Sequence, residues 1–205
     1  DTNLDGLPDL AVGNYNQQNR LYIIDGSGNP YDGTCYNFGT GSDYTRSLAF
    51  GDVNNDGYPD LIEGRNGQQD VVYINDGTGN PFDGTTNNIG PSDSETVGIA
   101  LADIERDGDL DVVTARGITP DTIYLNDGDG TFDSESVEVG GGTLRTQCTA
   151  VTDINRDGNM DPAFGYEDSQ NSVFINGGSG EFNYNIEPLA DTLGAYAISA
   201  GDVDN

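Results

Sequence analysis

Apolar residues in this chain are gathered into short runs separated by Gly, Asn and Asp, and the runs return at even intervals. "DVVYI" (70–74), "DTIYL" (121–125) and "NSVFI" (171–175) are β-branched or aromatic and of strand length. Within this set Tyr22, Tyr73, Tyr124 and Phe174 take one face, while Ile23, Ile74, Leu125 and Ile175 take the other. Both faces are apolar, so both must be covered, as in a sheet sandwiched between two others. A second run, rich in small residues, reads "SLAFGD" (47–52), "GIALAD" (98–103), "CTAVTD" (148–153) and "AISAGD" (197–202). It predicts a strand packed closely among neighbours. No helical period appears, and no apolar run approaches the ~18 residues of a membrane span. No signal peptide is visible.

Between these runs lies a polar stretch that repeats. "GDVNNDGYPDL" (51–61) has relatives at Asp1 ("DTNLDGLPDL"), Asp103 ("DIERDGDLDV") and Asp153 ("DINRDGNMDP"), with a truncated fifth at Asp202 ("DVDN"). Successive starts are 51, 51, 50 and 49 residues apart. A second motif keeps step, in "YIIDGSGNPYD" (22–32), "YINDGTGNPFD" (73–83), "YLNDGDGTFD" (124–133) and "FINGGSGEFN" (174–183). Its turn dipeptide falls at Asp25, Asp76, Asp127 and Gly177, always 24 residues after the loop start. Asp-Gly and Gly-Gly between β-rich runs signal tight turns.

Each repeat therefore reads as strand, acidic loop, strand, loop, strand, Asp-Gly turn and a weaker fourth strand. Four antiparallel strands in about 50 residues, repeated in register, predict an all-β β-propeller or propeller-like array. A blade cannot bury its own faces, so neighbours or ring closure must do so. Residues 1–205 form one such array and read as a segment of a longer one. Closure by further blades and end-to-end joining of identical units both remain open.

Composition sharpens this picture. The chain of 205 residues carries 36 Asp and Glu against seven Arg, with no Lys, His or Trp, for a formal charge of −29. That charge argues against a nucleic-acid partner or an anionic membrane surface, and no membrane insertion is expected. It is tolerable where divalent cations neutralise part of it, or in a salty medium. Cys35 and Cys148 occupy non-equivalent places of the repeat, and their spacing does not indicate a disulfide.

The acidic loop supplies candidate metal ligands. Counting Asp52 as position 1, Asp52, Asn54 and Asp56 offer side-chain oxygens at positions 1, 3 and 5. Gly57 permits the bend at position 6, Tyr58 offers its carbonyl at position 7, and Asp60 closes the shell at position 9. Alternating oxygens around a glycine suit the six- or seven-oxygen shell of Ca²⁺; the lack of His and Cys within these loops argues against zinc or copper. The same positions elsewhere are Asp1, Asn3, Asp5, Leu7 and Asp9; Asp103, Glu105, Asp107, Asp109 and Asp111; and Asp153, Asn155, Asp157, Asn159 and Asp161. Asp202 and Asp204 begin the fifth loop. One ion per complete loop is expected, with altered affinity where Glu105 is a methylene longer. An EF-hand would need flanking helices and an acid at position 12, and strands flank these loops instead.

"GDVNNDGYPDL" resembles the FG-GAP repeat of integrin alpha-subunit propellers, and "VYINDGTGNPF" resembles the companion segment of bacterial VCBS-type repeats. The likeness extends over essentially the whole chain. It implies a calcium-stabilised propeller, with the ion in the loop joining a blade's first two strands. It also implies an extracellular or cell-surface module that binds a protein or glycan ligand without catalysis.

An alternative is a structural subunit that self-assembles into a filament, stalk or surface array. A third, weaker reading is a carboxylate-dependent glycan-active enzyme, since Asp, Glu and Tyr are the available acids and bases. Tyrosines at equivalent positions read as core, and Arg65 and Arg116 as structural or rim residues.

Overall fold

The alternation of apolar runs and turns becomes a row of antiparallel sheets. The computed structural model describes residues 1–27, 29, 33–78, 80–132, 135–140, 144–178, 182, 186–188 and 194–201. The first sheet holds β1 (Leu10–Val12), β2 (Asn19–Tyr22) and β3 (Cys35–Phe38). The second runs β4 (Thr45–Gly51), β5 (Asp60–Arg65), β6 (Asp70–Tyr73) and β7 (Thr86–Ile89). The third runs β8 (Thr96–Ala102), β9 (Asp111–Arg116), β10 (Asp121–Tyr124) and β11 (Ser136–Val139). The fourth runs β12 (Thr146–Thr152), β13 (Asp161–Tyr166), β14 (Ser172–Phe174) and β15 (Ile186–Pro188). Each sheet is an up-and-down meander, and no helix occurs among the described residues. The expected order of strands, acidic loop and Asp-Gly turn is the observed one, but the dipeptide lies within a long connection, between Tyr73 and Thr86 in the second sheet, and not in a tight hairpin.

The small-residue strands β4, β8 and β12 lie side by side and form the inner row of the array. One member of that sequence set departs from expectation. Residues 197–201 carry the same pattern but form no strand. An inner strand is laddered to the strand after its own acidic loop, as β4 is to β5, and among the described residues no strand pairs with 197–201.

Both faces of the middle strands are covered, as their apolar pattern requires. All six residues of β5, β9 and β13 are buried. Leu21 and Phe38 of the first blade meet Leu61, Tyr73 and Phe82 of the second. Val53, Ile62, Val72 and Ile89 of the second meet Val112, Tyr124 and Phe132 of the third. Ile104, Val113, Ile123 and Val139 of the third meet Phe164, Tyr166 and Phe174 of the fourth. Each such side chain contributes about 1.5–3 kcal/mol on burial, so the cores of this protein lie between blades. The tyrosines Tyr73 and Tyr124 are core, as their repetition suggests. Arg65 and Arg116 are not rim residues: each is only 8% exposed, enclosed where two blades meet.

A polar clasp sits at the end of each interface away from the acidic loops. Every inner strand carries a bulge after its first residue, between Thr45 and Ser47, Thr96 and Gly98, and Thr146 and Cys148. A bulge re-aims the neighbouring side chain, and here the threonine reaches the preceding blade. Thr96 Oγ1 donates to Asp70 Oδ2 at 2.6 Å and Thr146 Oγ1 to Asp121 Oδ2 at 3.0 Å, while Thr45 bonds Asn19. Each Asp or Asn also accepts a backbone N–H five residues earlier: from Asn14, Arg65, Arg116 and, for Asn171, Tyr166.

Burial pushes the Asp121 carboxyl up from 3.8 to about 7, against the lowering effect of its hydrogen bonds and of Arg116. A raised carboxyl pKa favours the folded state below the unfolded pKa of about 3.9, and that contribution disappears as pH rises through 7. The D121N variant, leaving Asp70 to face Arg116, is expected to gain about 2–3 kcal/mol more over wild type at pH 8 than at pH 5. Asn19 and Asn171 already fill the same place in the outer blades. Urea midpoints at the two pH values check this; an equal gain at both would refute it.

Candidate functional site

The acidic loops all lie at one end of the blades, and those at 52–60, 103–111 and 153–161 each join an inner strand to its neighbour. Their coil depends on two backbone positions. Position 6 is a left-handed glycine: Gly6 (φ 88°), Gly57 (92°), Gly108 (102°) and Gly158 (90°). Position 4 is also left-handed but is not glycine: Leu4 (φ 58°), Asn55 (59°), Arg106 (64°) and Arg156 (61°). Left-handed backbone is unfavourable for Leu and Arg, so the loop is held by its bonds rather than by local preference.

Those bonds centre on the acids. Asp52 Oδ1 accepts from the Asp56 N–H (3.1 Å) and Oδ2 from the Gly57 N–H (2.8 Å). Asn54 Oδ1 accepts from the same Asp56 N–H (3.1 Å), and its Nδ2 donates to Asp56 Oδ2 (2.9 Å). Asp56 Oδ1 accepts from the Tyr58 N–H at 2.9 Å. Asp1, Asn3, Asp5 and Leu7 repeat this set, as do Asp153, Asn155, Asp157 and Asn159.

The third loop keeps the bonds to Asp103 and Asp107, including that from the Asp109 N–H, but its position 3 is a carboxylate. Burial holds the Glu105 carboxyl above its usual range, helped by its bond and charge against Asp107.

Positions 1, 3 and 5 are thus brought together. Position 9 faces into the sheet. Asp60 Oδ2 accepts from the Val53 N–H (2.9 Å) and Oδ1 from the Asn75 N–H (2.8 Å). Asp9, Asp111 and Asp161 bind the corresponding amides of Thr2 and Ile24, Ile104 and Asn126, and Ile154 and Asn176. These acids staple the loop to the third strand of its own blade. Burial raises Asp60 to about 6 and Asp111 to about 7. Among the described residues no three carboxylate, imidazole or thiol groups gather at one point. Position 3 is an amide in three of the four loops, and position 9 is turned to backbone N–H groups. Asp202 and Asp204 lie outside the described residues.

One residue that sequence reading passed over ties the arrangement together. Asn75, Asn126 and Asn176 stand just before the turn dipeptide and are fully buried. Asn126 Nδ2 donates to the Val53 carbonyl (2.7 Å), at position 2 of the preceding blade's acidic loop, and to the Leu110 carbonyl (3.1 Å) of its own. Its Oδ1 accepts from the Gly128 N–H at 3.1 Å. Asn75 reaches Thr2 and Pro59, and Asn176 reaches Ile104 and Met160, in the same way. The fixed offset from the loop start was the available signal, broken only by Ile24.

Removing this side chain leaves buried carbonyls without donors, at about 1–3 kcal/mol for each group. The N126A variant is expected to lose about 2–3 kcal/mol in urea unfolding. A loss below about 0.5 kcal/mol, the usual size of a surface change, would show the clasp to be dispensable.

The loops are also linked directly. Asn55 Nδ2 donates to Asp109 Oδ1 at 2.6 Å, and Arg106 Nη1 to Asn159 Oδ1 at 3.4 Å, each from position 4 of one loop to position 7 of the next. Position 7 in turn lies over the turn glycine of its own blade: a Cβ on Gly77 would stand 2.6 Å from the Tyr58 ring. Contact between loop and turn explains why the two motifs keep one offset. The turn survives the change from Asp to Gly177 because Asn176 Oδ1 still accepts from the Gly178 N–H at 2.9 Å.

The remaining candidates fall elsewhere. Cys35 is exposed and Cys148 half-buried, and both are free thiols.

Comparison with known proteins agrees with this architecture. A family model described as the FG-GAP-like repeat matches residues 1–63, 64–114 and 106–163. A search of curated proteins gives no significant match. Among solved structures, BBS1N in complex with ARL6DN, soaked with lead, is similar at 13% identity and a TM-score of 0.59, covering 93% of this chain and 55% of that one. The mercury-soaked crystal of the same complex gives 14% identity and a TM-score of 0.54, covering 80% and 49%. Chaetomium thermophilum Polycomb Repressive Complex 2 bound to GSK126 follows at 15% identity and 0.46, covering 67% and 30%. The chain spans about half the length of the two BBS1N chains. At such identities the likeness shows the fold alone, a propeller-like arrangement of antiparallel sheets.

Proposed function

The chain belongs to the FG-GAP-like repeat family, and from that premise we propose that it is a calcium-stabilised, non-catalytic binding module of the cell exterior. One observation carries the calcium part. Every complete acidic loop has left-handed backbone at positions 4 and 6 and folds its own N–H groups onto the position 1 and 5 carboxylates, and the first three loops are clasped by the following blade. The donors are hard oxygens only, which fits calcium. Each carboxylate oxygen has further lone-pair capacity beyond the single amide it accepts.

Asp1, Asn3 and Asp5, Asp52, Asn54 and Asp56, Asp103, Glu105 and Asp107, and Asp153, Asn155 and Asp157 would hold the ions. Bound calcium supplies positive charge where the loop gathers negative charge. The protein's own contribution is the clasp, which passes stiffness from loop to blade junction. The integrin-alpha-like and VCBS-like character of the two motifs supports the same reading.

Binding rather than catalysis follows from the family, generally non-catalytic, and from where the acids are committed. The position-9 carboxylates, three of them buried, accept from backbone amides, and the loop acids accept from N–H groups of their own loop. FG-GAP repeats typically occur in extracellular or surface proteins, where millimolar calcium would fill such loops. Calorimetry with calcium and with chelator is the test: coincident melting curves would overturn the calcium reading.

A further inference from the structure

At the junction of the second and third blades the repeat departs from its neighbours in the side chains it presents. A groove of about 540 Å³ is lined there by Gln69, Asn87, Asn88, Tyr124, Phe132 and Glu135. Its size falls within the about 300–1,000 Å³ of small-ligand sites.

One lining residue departs from the repeat. Asn87 pairs with Val72 across the sheet, as Tyr36 pairs with Leu21 and Val137 with Ile123. Tyr36 and Val137 fill this place at the neighbouring interfaces and pack against the apolar cores. Asn87 instead turns its amide to the Gly130 carbonyl at 2.8 Å, across the blade junction. The floor changes in step. In the second blade the Tyr73 hydroxyl donates to Glu63 at 2.7 Å. In the third, Thr114 stands at the Glu63 place and bonds the Thr122 carbonyl, while Tyr124 lines the groove.

We propose that this groove binds a neutral carbohydrate. The proposal deepens the binding-module reading and rests on it. Amide and hydroxyl groups both donate and accept, which matches sugar hydroxyls. Glu135 offers two acceptor oxygens to adjacent hydroxyls, and Phe132 and Tyr124, both largely buried, close the groove from below with apolar edges. No basic side chain lines the groove, and the formal charge of −29 repels anions.

The test is saturation-transfer NMR on the calcium-loaded protein, with glucose, galactose, mannose and their neutral disaccharides, and glucuronic acid as the anionic arm. At least one neutral sugar is expected to show transfer and glucuronic acid none. N87Y, which copies Tyr36, is expected to weaken that sugar at least about tenfold with a melting temperature equal to or above wild type. E135Q is expected to weaken it about threefold, with the fold intact.

Silence across the neutral panel, or a stronger signal from glucuronic acid, overturns the proposal. Transfer that survives both variants also overturns it, while leaving a binding module whose sugar site is elsewhere. Loss of the calcium effect on melting would count against the wider reading without touching the groove.

Discussion

Removing divalent ions with EGTA is expected to lower the melting temperature by about 5–10 °C for each loop that had been filled. Free calcium at about 100 times the dissociation constant stabilises a site by roughly 2.7 kcal/mol. For a chain of this size 1 kcal/mol corresponds to about 2–4 °C. Two features of the loops argue for a large response. Leu4, Arg106 and Arg156 are held in left-handed backbone, which costs about 1–3 kcal/mol at each residue. The acids at positions 1 and 5 are also gathered with no basic side chain bonded to them.

The third loop should respond most. In the other three an Asn amide donates to the position 5 carboxylate, as Asn54 does to Asp56, whereas Glu105 sets a second carboxylate against Asp107. Differential scanning calorimetry of wild type and the E105N variant separates the contributions: E105N should melt higher than wild type in chelator and respond less to calcium. Identical curves for wild type with and without calcium would sink the prediction.

The second large effect concerns the junction of the first two blades. Glu63 is fully buried. Its Oε2 accepts from Arg65 Nη2 and from the Tyr73 hydroxyl, both at 2.7 Å. Its Oε1 accepts from Asn19 Nδ2 at 2.8 Å and from the Thr45 hydroxyl. Arg65 has one other carboxylate near, Asp43 at 3.6 Å. Burial first, then the Glu63 charge, keeps the Tyr73 phenol protonated, pushing its pKa far up.

Removing one partner of a buried pair strands the other, at about 3–5 kcal/mol, and that is the loss expected for E63A in urea unfolding. E63Q keeps the shape and one acceptor oxygen and should lose less. The junction of the third and fourth blades has Phe164 and Tyr166 at these places, so an apolar pair is an alternative solution. The double variant E63F/R65Y should therefore recover much of the loss. An E63A loss under about 1 kcal/mol would mean that the network is ornamental.

Much of the architecture was legible because it is periodic. The offset of acidic loop and turn, the small inner strand and the two-faced apolar strand appear as residue types at fixed spacing. The grouping of positions 1, 3 and 5 was legible for the same reason, since a short loop with glycine at position 6 leaves few ways to place alternate side chains. Position 9 was harder. Spacing puts Asp60 near the loop, but its two amide partners lie at Val53 and Asn75, one of them in another strand.

The sequence by itself determined the repeat, the all-β class and the chemistry of the loops, because these depend on neighbours along the chain. Only the tertiary structure decided what joins one blade to the next. Asn126 reaches the Val53 carbonyl across 73 residues, and Thr146 reaches Asp121 across 25. Asn87 turns to the Gly130 carbonyl of the next blade, whereas Tyr36 and Val137 pack on the core in theirs. Such bonds join groups distant in sequence, and an Asn able to turn or cap locally has the same identity as one that spans two blades. Its role is set by which buried carbonyl needs a donor once the sheets have packed.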